Sequence, residues 1–115
     1  MNQKRNFLDL FKIKSKKVFI CGGLGLIGQN ITKALHDAGA DVLILDINKK
    51  LASKFISDNF NEDIDYHYFD CSDLESIEEN LTFLFEKNGC PDIFINCSWP
   101  RTKDFANNNF EDISL

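Results

Sequence analysis

The sequence has no apolar run approaching a membrane span: its longest, such as 42–45, falls far short of about 20 residues. Six glycines and two prolines among 115 residues are too few for a collagen-like or low-complexity chain. Positive charge is scarce, with 13 Lys and Arg against 18 Asp and Glu and a net charge of −5, which excludes the usual nucleic-acid-binding module. Metal-binding and disulfide frameworks are missing as well. The four cysteines, Cys21, Cys71, Cys90 and Cys97, form no C-x-x-C pair, and His36 and His67 complete no ligand spacing. The basic start is followed by no apolar core of about 7–15 residues, so no secretory signal is read. A cytoplasmic protein with reduced thiols and no metal is therefore expected.

What is present is ordinary globular composition, 43% hydrophobic and 27% charged. At this length a chain buries roughly two thirds of its unfolded surface, enough for one domain. The charge is uneven. Residues 1–17 hold six cations, Lys4, Arg5, Lys12, Lys14, Lys16 and Lys17, against Asp9; that net +5 leaves −10 on the remainder. We read residues 1–15 as a basic lead-in that packs Phe7, Leu8 and Phe11 on the edge of a domain over 16–115.

Periodicity divides that domain. Residues 17–21 are a β-branched and aromatic run that meets glycines, which predicts a buried strand, and Cys21 is a small buried hydrophobe within it. From Leu26, apolar residues recur at Ile27, Ile31, Ala34, Leu35 and Ala38, one face of a helix that Gly39 stops. Residues 41–46 predict a second buried strand. Leu51, Ala52, Phe55 and Ile56 mark a second helix with Asn48 as N-cap. A third strand is predicted over 64–69. Ser72 or Asp73 would cap a third helix with Leu74, Ile77, Leu81, Leu84 and Phe85 inward and Gly89 at its end, and 91–96 form a fourth strand. The order β-α-β-α-β-α-β with short connections predicts a parallel sheet between two helical layers: an α/β, Rossmann-like, three-layer arrangement. From Trp99 onward the pattern becomes polar.

The segment Cys21-Gly22-Gly23-Leu24-Gly25-Leu26-Ile27-Gly28 joins the first strand to the first helix. Read from Gly23 it is G-x-G-x-x-G; read from Gly22 it is G-x-x-G-x-x-G. Such a loop suits a pyrophosphate, because Gly22 and Gly25 permit close backbone approach and the helix start at Leu26 and Ile27 offers N–H groups to an anion. Gly28 lets the helix pack closely on the strand. Asp46 closes the next strand 18 residues past Gly28, where a carboxylate accepts both ribose hydroxyls and repels a 2′-phosphate. That favours NAD over NADP as cofactor, although Lys49 and Lys50 stand close by. A flavodoxin-like or receiver-like domain would instead lack this loop.

On these residues the chain resembles the short-chain dehydrogenase/reductase family from residue 16 onward, and the Gly22/Gly25/Gly28 spacing is similar to its extended branch, which often acts on nucleotide sugars. The family usually begins the loop with Thr where this chain has Cys21. The resemblance implies that Asp70 contacts the adenine amino group and the Cys71 N–H the ring, although Asp70-Cys71-Ser72-Asp73 also reads as a helix cap. Ile95-Asn96-Cys97-Ser98-Trp99 stands where the family has Asn-Asn-Ala-Gly. Asn96 would then brace the sheet and the ribose loop, with Ser98 beside the cofactor. Cys97, Ser98 and Trp99 depart from that pattern, and Trp99 leaves room only if its ring swings outward. The following Pro100-Arg101-Thr102-Lys103-Asp104-Phe105 is similar to a bacterial subgroup of nonulosonic-acid and surface-glycan pathways. Arg101 and Lys103 would suit an anionic sugar or phosphate, or simply form a charged surface loop.

The family's chemistry rests on a Tyr-x-x-x-Lys pair and a Ser after the fourth strand. Here the tyrosines, Tyr66 and Tyr68, both lie in the third predicted strand, neither is followed four residues on by Lys, and Ser98 stands too early. No catalytic residue is assigned. The reading is thus the NAD-binding half of an oxidoreductase, truncated before its catalytic half, whose parent is a homo-oligomer acting on a small molecule, a sugar or sugar nucleotide. Phe110-Glu111-Asp112-Ile113-Ser114-Leu115 is similar to the entry of a further helix. The alternative is a non-catalytic nucleotide-binding module complete at 115 residues, whose fourth strand would present an open edge.

Overall fold

The computed structural model of the protein describes residues 6–99. Four strands, β1 (Lys17–Cys21), β2 (Asp41–Asp46), β3 (Asp65–Tyr68) and β4 (Ile93–Asn96), alternate with three helices, α1 (Leu26–Asp37), α2 (Lys49–Phe60) and α3 (Ile77–Asn88). All strand pairs are parallel and their order is β3-β2-β1-β4. This is the predicted α/β, Rossmann-like sheet. The reversal of strand order falls between β1 and β4, where open parallel sheets form a crevice beyond the carboxyl ends of their strands.

Alternation along the central strands builds two cores. Val18, Ile20, Val42 and Ile44 face Ala52, Phe55 and Phe60 of α2, with Ile31 and Leu35 of α1 packed against them. Phe19, Cys21, Leu43 and Leu45 face the other way, onto Leu84 of α3 and Phe69. Continuous apolar strands are what a sheet covered on both faces requires. The helix ends follow local chemistry: the Asn48 side chain accepts the Leu51 N–H at 3.0 Å, and Gly39 takes a positive φ of 85° after α1.

Three expectations are corrected. First, α1 is turned relative to the predicted apolar face. Gly28 and Thr32 are its buried residues, whereas Ile27 is 70% exposed and Ala34 and Ala38 face outward. Close contact of Gly28 with the glycine loop sets this phase, and Thr32 lies one turn further on the same face. Second, α3 begins at Ile77 behind Ser76, not at Ser72 or Asp73, and Leu74 is 78% exposed rather than inward. Asp70 accepts both the N–H and the hydroxyl of Ser72, and further turn bonds run from Asp73 to Asp70 and from Ser76 to Asp73. These local bonds compete with the helix and delay its start. Third, Phe7–Phe11 form a short 3-10 helix whose Phe7, Leu8, Leu10 and Phe11 are 64–80% exposed, so they do not pack on the domain edge. Of the described residues before β1, only Ile13 reaches the core, while Ser15 donates its N–H to the Gly39 carbonyl. The sequence readings at Lys4 and Arg5 and those from Pro100 to Leu115 lie outside the described residues.

Candidate functional site

The carboxyl ends of the strands open into a cleft of about 730 Å³. It is lined by Cys21, Gly22, Gly25, Leu26, Ile27, Gly28, Asp46, Asp70, Cys71 and Ser98, with Leu45, Ile47, Phe69, Ser72, Cys97 and Trp99 completing the wall. The fold therefore gathers nine of the ten residues expected from sequence to hold a cofactor. Asn96 is the exception: its side chain turns onto Ser98, accepting the N–H at 3.0 Å and the hydroxyl at 2.5 Å. The Trp99 ring stands 67% exposed at the rim.

The glycines differ in what demands them. Gly22 has φ of 73°, and a Cβ there would lie 2.6 Å from the Ser98 backbone nitrogen. This glycine lets the loop after β1 cross the chain leaving β4. A Cβ on Gly28 would run into the Gly22 carbonyl oxygen and lie 2.8 Å from the Gly23 Cα. Gly23 is packed between Ile20 and Ile44, a role in the core. The glycines that line the cleft are thus Gly22, Gly25 and Gly28. Among the four loop glycines Gly25 alone has room: its φ is −70°, and a Cβ would find only the Gly22 oxygen, at an ordinary 3.5 Å. Nothing within the described protein requires glycine there. A bare Cα at the mouth of the cleft is what a ligand pressed against the backbone requires.

Gly25 is also the N-cap of α1, with no side-chain cap. The Gln29 N–H bonds the Gly25 carbonyl at 2.9 Å, so the N–H groups of Leu26, Ile27 and Gly28 are those a helix leaves without an internal acceptor. They open at the positive end of the helix dipole, an arrangement suited to a pyrophosphate. Asp46 stands beside them. Its carboxylate accepts the Leu24 N–H at 3.2 Å and the Asn48 N–H at 3.1 Å. Sequence reasoning missed the other half of this clamp, in which the Gln29 amide donates to the Leu24 carbonyl at 2.9 Å. No spacing signal announces it, because an amide five residues along reads as a helix surface residue.

At the far end of the cleft the Ser72 hydroxyl and N–H hold the Asp70 carboxyl below its ordinary range. Asp70 thus stays ionised as a hydrogen-bond acceptor. Burial pushes the Cys21 thiol up to about 11, with a hydrogen bond to Ser98 opposing the rise. Cys21 is therefore a neutral wall of the cleft rather than a nucleophile. Tyr66 is likewise raised by burial, and its hydroxyl donates to the Asp46 carbonyl at 2.8 Å. It is a structural tyrosine of β3. Neither tyrosine lines the cleft.

A parallel sheet in this order, with a glycine loop and an acidic strand end at its switch point, is the architecture of a Rossmann-like domain. The chain has this Rossmann-like fold and is similar to short-chain dehydrogenases/reductases. No family model matches it. It is 29% identical over 87 residues to a 7alpha-hydroxysteroid dehydrogenase of Bacteroides fragilis, covering 74% of this chain and 34% of that protein. It is 34% identical over 80 residues to an ADP-L-glycero-D-manno-heptose-6-epimerase of Brachyspira hyodysenteriae, covering 65% of this chain and 25% of that one. The chain thus spans about a third and a quarter of these two curated relatives. Among solved structures, a short-chain dehydrogenase from Leptospira borgpetersenii with bound NAD+ superposes with a TM-score of 0.65 at 26% identity, over 96% of this chain and 41% of that one.

Proposed function

We propose that this chain is the NAD-binding portion of a short-chain dehydrogenase/reductase whose whole protein transfers hydride between nicotinamide and an alcohol or carbonyl carbon of a small molecule. The observation that carries the reading is Gly25, a cleft-facing glycine that the fold itself does not need. In this reading the N–H groups of Leu26, Ile27 and Gly28 hold the pyrophosphate, Asp46 accepts the adenosine ribose hydroxyls, and Asp70 with the Cys71 N–H reads the adenine edge. Ser98 and Asn96 fix the turn that supports the cofactor's far side. The Asp46 charge disfavours a 2′-phosphate, so NAD is preferred to NADP. The bound dinucleotide supplies the hydride chemistry; these residues bind and orient it.

For the substrate we propose a sugar or sugar nucleotide, as in a surface-glycan route. The heptose epimerase among the relatives supports this reading, while the steroid dehydrogenase marks how widely substrates vary across the group. No acid/base pair is assigned within residues 1–115, so the proton-transferring Tyr and Lys of the whole protein would follow them. Two measurements test the proposal. Titration with NAD should show binding to the wild type and its loss in Gly25→Val; equal binding by both, or by neither, overturns the cofactor assignment. Reading the encoding frame past codon 115 should find Tyr-x-x-x-Lys, and its absence would favour a nucleotide-binding module without catalysis.

A further inference from the structure

The Phe7–Phe11 helix presents four large apolar side chains to solvent, and no part of the described chain covers them. Lys12, Lys14 and Lys16 are exposed directly after it. This apolar, basic arm has a counterpart elsewhere on the molecule. The outer face of α3 and the turn before it form a cleft of about 540 Å³ lined by Glu75, Glu78, Glu79, Thr82, Phe83 and Glu86. None of these four carboxylates is in a salt bridge among the described residues, and Phe83 is half exposed, its ring 5.8 Å from that of His67. An aromatic floor with an acidic rim complements an apolar helix followed by lysines in both properties.

The two surfaces belong to opposite layers. Ile13 fastens the arm to the core shared with α1 and α2, whereas α3 packs on the other face of the sheet. An arm therefore meets the α3 face of another molecule more readily than its own. We propose that the Phe7–Phe11 segment is an intersubunit arm that docks on the Glu75–Glu86 face of α3 in a second copy of this chain. Phe7, Leu8, Leu10 and Phe11 cover Phe83, and the lysines lie against the glutamates. An anionic membrane is the less fitting occupant, because the remainder of the chain carries −10 and a five-residue helix offers little amphipathic surface.

Sedimentation of the full-length chain over a concentration series, at low and high salt, tests the proposal. The wild type should self-associate, with the dissociation constant rising as salt screens the charges. Leu8→Ser/Phe11→Ser in the arm and Glu78→Lys/Glu79→Lys on α3 should each weaken association at least tenfold. Melting temperatures should be nearly unchanged, since all four side chains face solvent. An equimolar mixture of the two variants retains one intact arm and one intact α3 face, and should associate more strongly than either variant alone. A Lys12→Glu/Lys14→Glu arm, tested against Glu78→Lys/Glu79→Lys, should recover part of the loss. A monomeric wild type overturns the proposal, as does association that survives the arm variant. Loss with the arm variant alone, and none with the α3 variant, overturns the assigned docking face. Arm-dependent binding to phosphatidylserine vesicles by a chain that stays monomeric assigns the arm to a lipid surface instead.

Discussion

The Asp46 carboxylate accepts the Leu24 N–H at 3.2 Å, so the end of β2 is tied to the middle of the glycine loop after β1. The same carboxylate accepts the Asn48 N–H and steadies the turn into α2. An ionised carboxylate offers about four acceptor positions, and the protein uses two of them here. The remaining capacity is available toward the cleft. The residue that would select the cofactor thus also fixes the loop that would hold its phosphates, which makes the effect of substituting it depend on the replacement.

Asp46→Asn keeps an oxygen for the Leu24 N–H and removes the charge. The ratio of NADP to NAD affinity should rise about tenfold, with a modest fall in melting temperature, because the single Asn oxygen serves Leu24 and leaves the exposed Asn48 N–H without its acceptor. Asp46→Ala should show the same change in preference together with a stability loss of about 1–3 kcal/mol, the cost of leaving a part-buried donor unpaired. Calorimetric titration with both cofactors, alongside denaturant unfolding, separates the two effects.

Gly25 and Gly28 should respond in opposite ways to the same added methyl. Gly25→Ala fits its backbone and should leave stability unchanged or improved by about 0.4–1 kcal/mol, through a less flexible unfolded chain. Its NAD affinity should nevertheless fall at least tenfold. Gly28→Ala forces a methyl into the Gly22 carbonyl and should cost about 3 kcal/mol, toward the upper end for an overpacked site. Unfolding curves and NAD titration on both variants check the contrast.

Thr32 is fully buried in α1, and its hydroxyl has no hydrogen-bond partner among the described residues. Thr32→Val keeps the shape and removes an unsatisfied polar atom. The helix should gain about 1 kcal/mol, read as a higher denaturant midpoint with an unchanged slope. A loss of stability would mean that the hydroxyl has an acceptor after all.

Cys21 sets an alkaline limit. Burial holds its thiol neutral up to about 11, against an ordinary value of 9.0. Below pH 9 both folded and unfolded chains keep the proton, and the contribution to stability is fully present. Between pH 9 and about 11 the unfolded thiol ionises first, so stability should fall through that window. Part of this fall should vanish in Cys21→Ala. Under native conditions iodoacetamide should modify exposed Cys90 well before Cys21, as read by mass spectrometry of the peptides.

Much of this architecture was legible because its signals are local. The apolar runs at 17–21 and 41–46 have the length and β-branching of buried strands, and each helix ends at a glycine or asparagine with matching backbone. The glycine loop and Asp46 could be paired from spacing alone, since β1 and β2 are neighbours joined by a single helix. The phase of α1 could not be read in the same way. Ile27 is as apolar as Ile31, and Ala34 and Ala38 extend its stripe as readily as Leu35 extends the other, so only the contact of Gly28 with the Gly22 carbonyl decides which stripe turns inward. The start of α3 was hidden for a related reason. Asp70 and Ser72 can cap a helix or close a turn, and their bonds to each other settle the competition.

By itself the sequence determined the order of strands and helices, the parallel sheet that this order imposes, and the glycine loop between β1 and α1. These follow from hydrophobic periodicity and from backbone freedom at glycine, which are properties of short segments. Only the tertiary structure divided the glycines by purpose, with Gly22 and Gly28 serving the crossing of backbones and Gly25 facing the cleft. It alone joined Leu24 to Asp46 and Gln29, left the Phe7–Phe11 face uncovered, and buried the Thr32 hydroxyl. The reason is physical: each depends on how close two segments distant in sequence approach once the sheet is assembled. Spacing along the chain does not encode that distance.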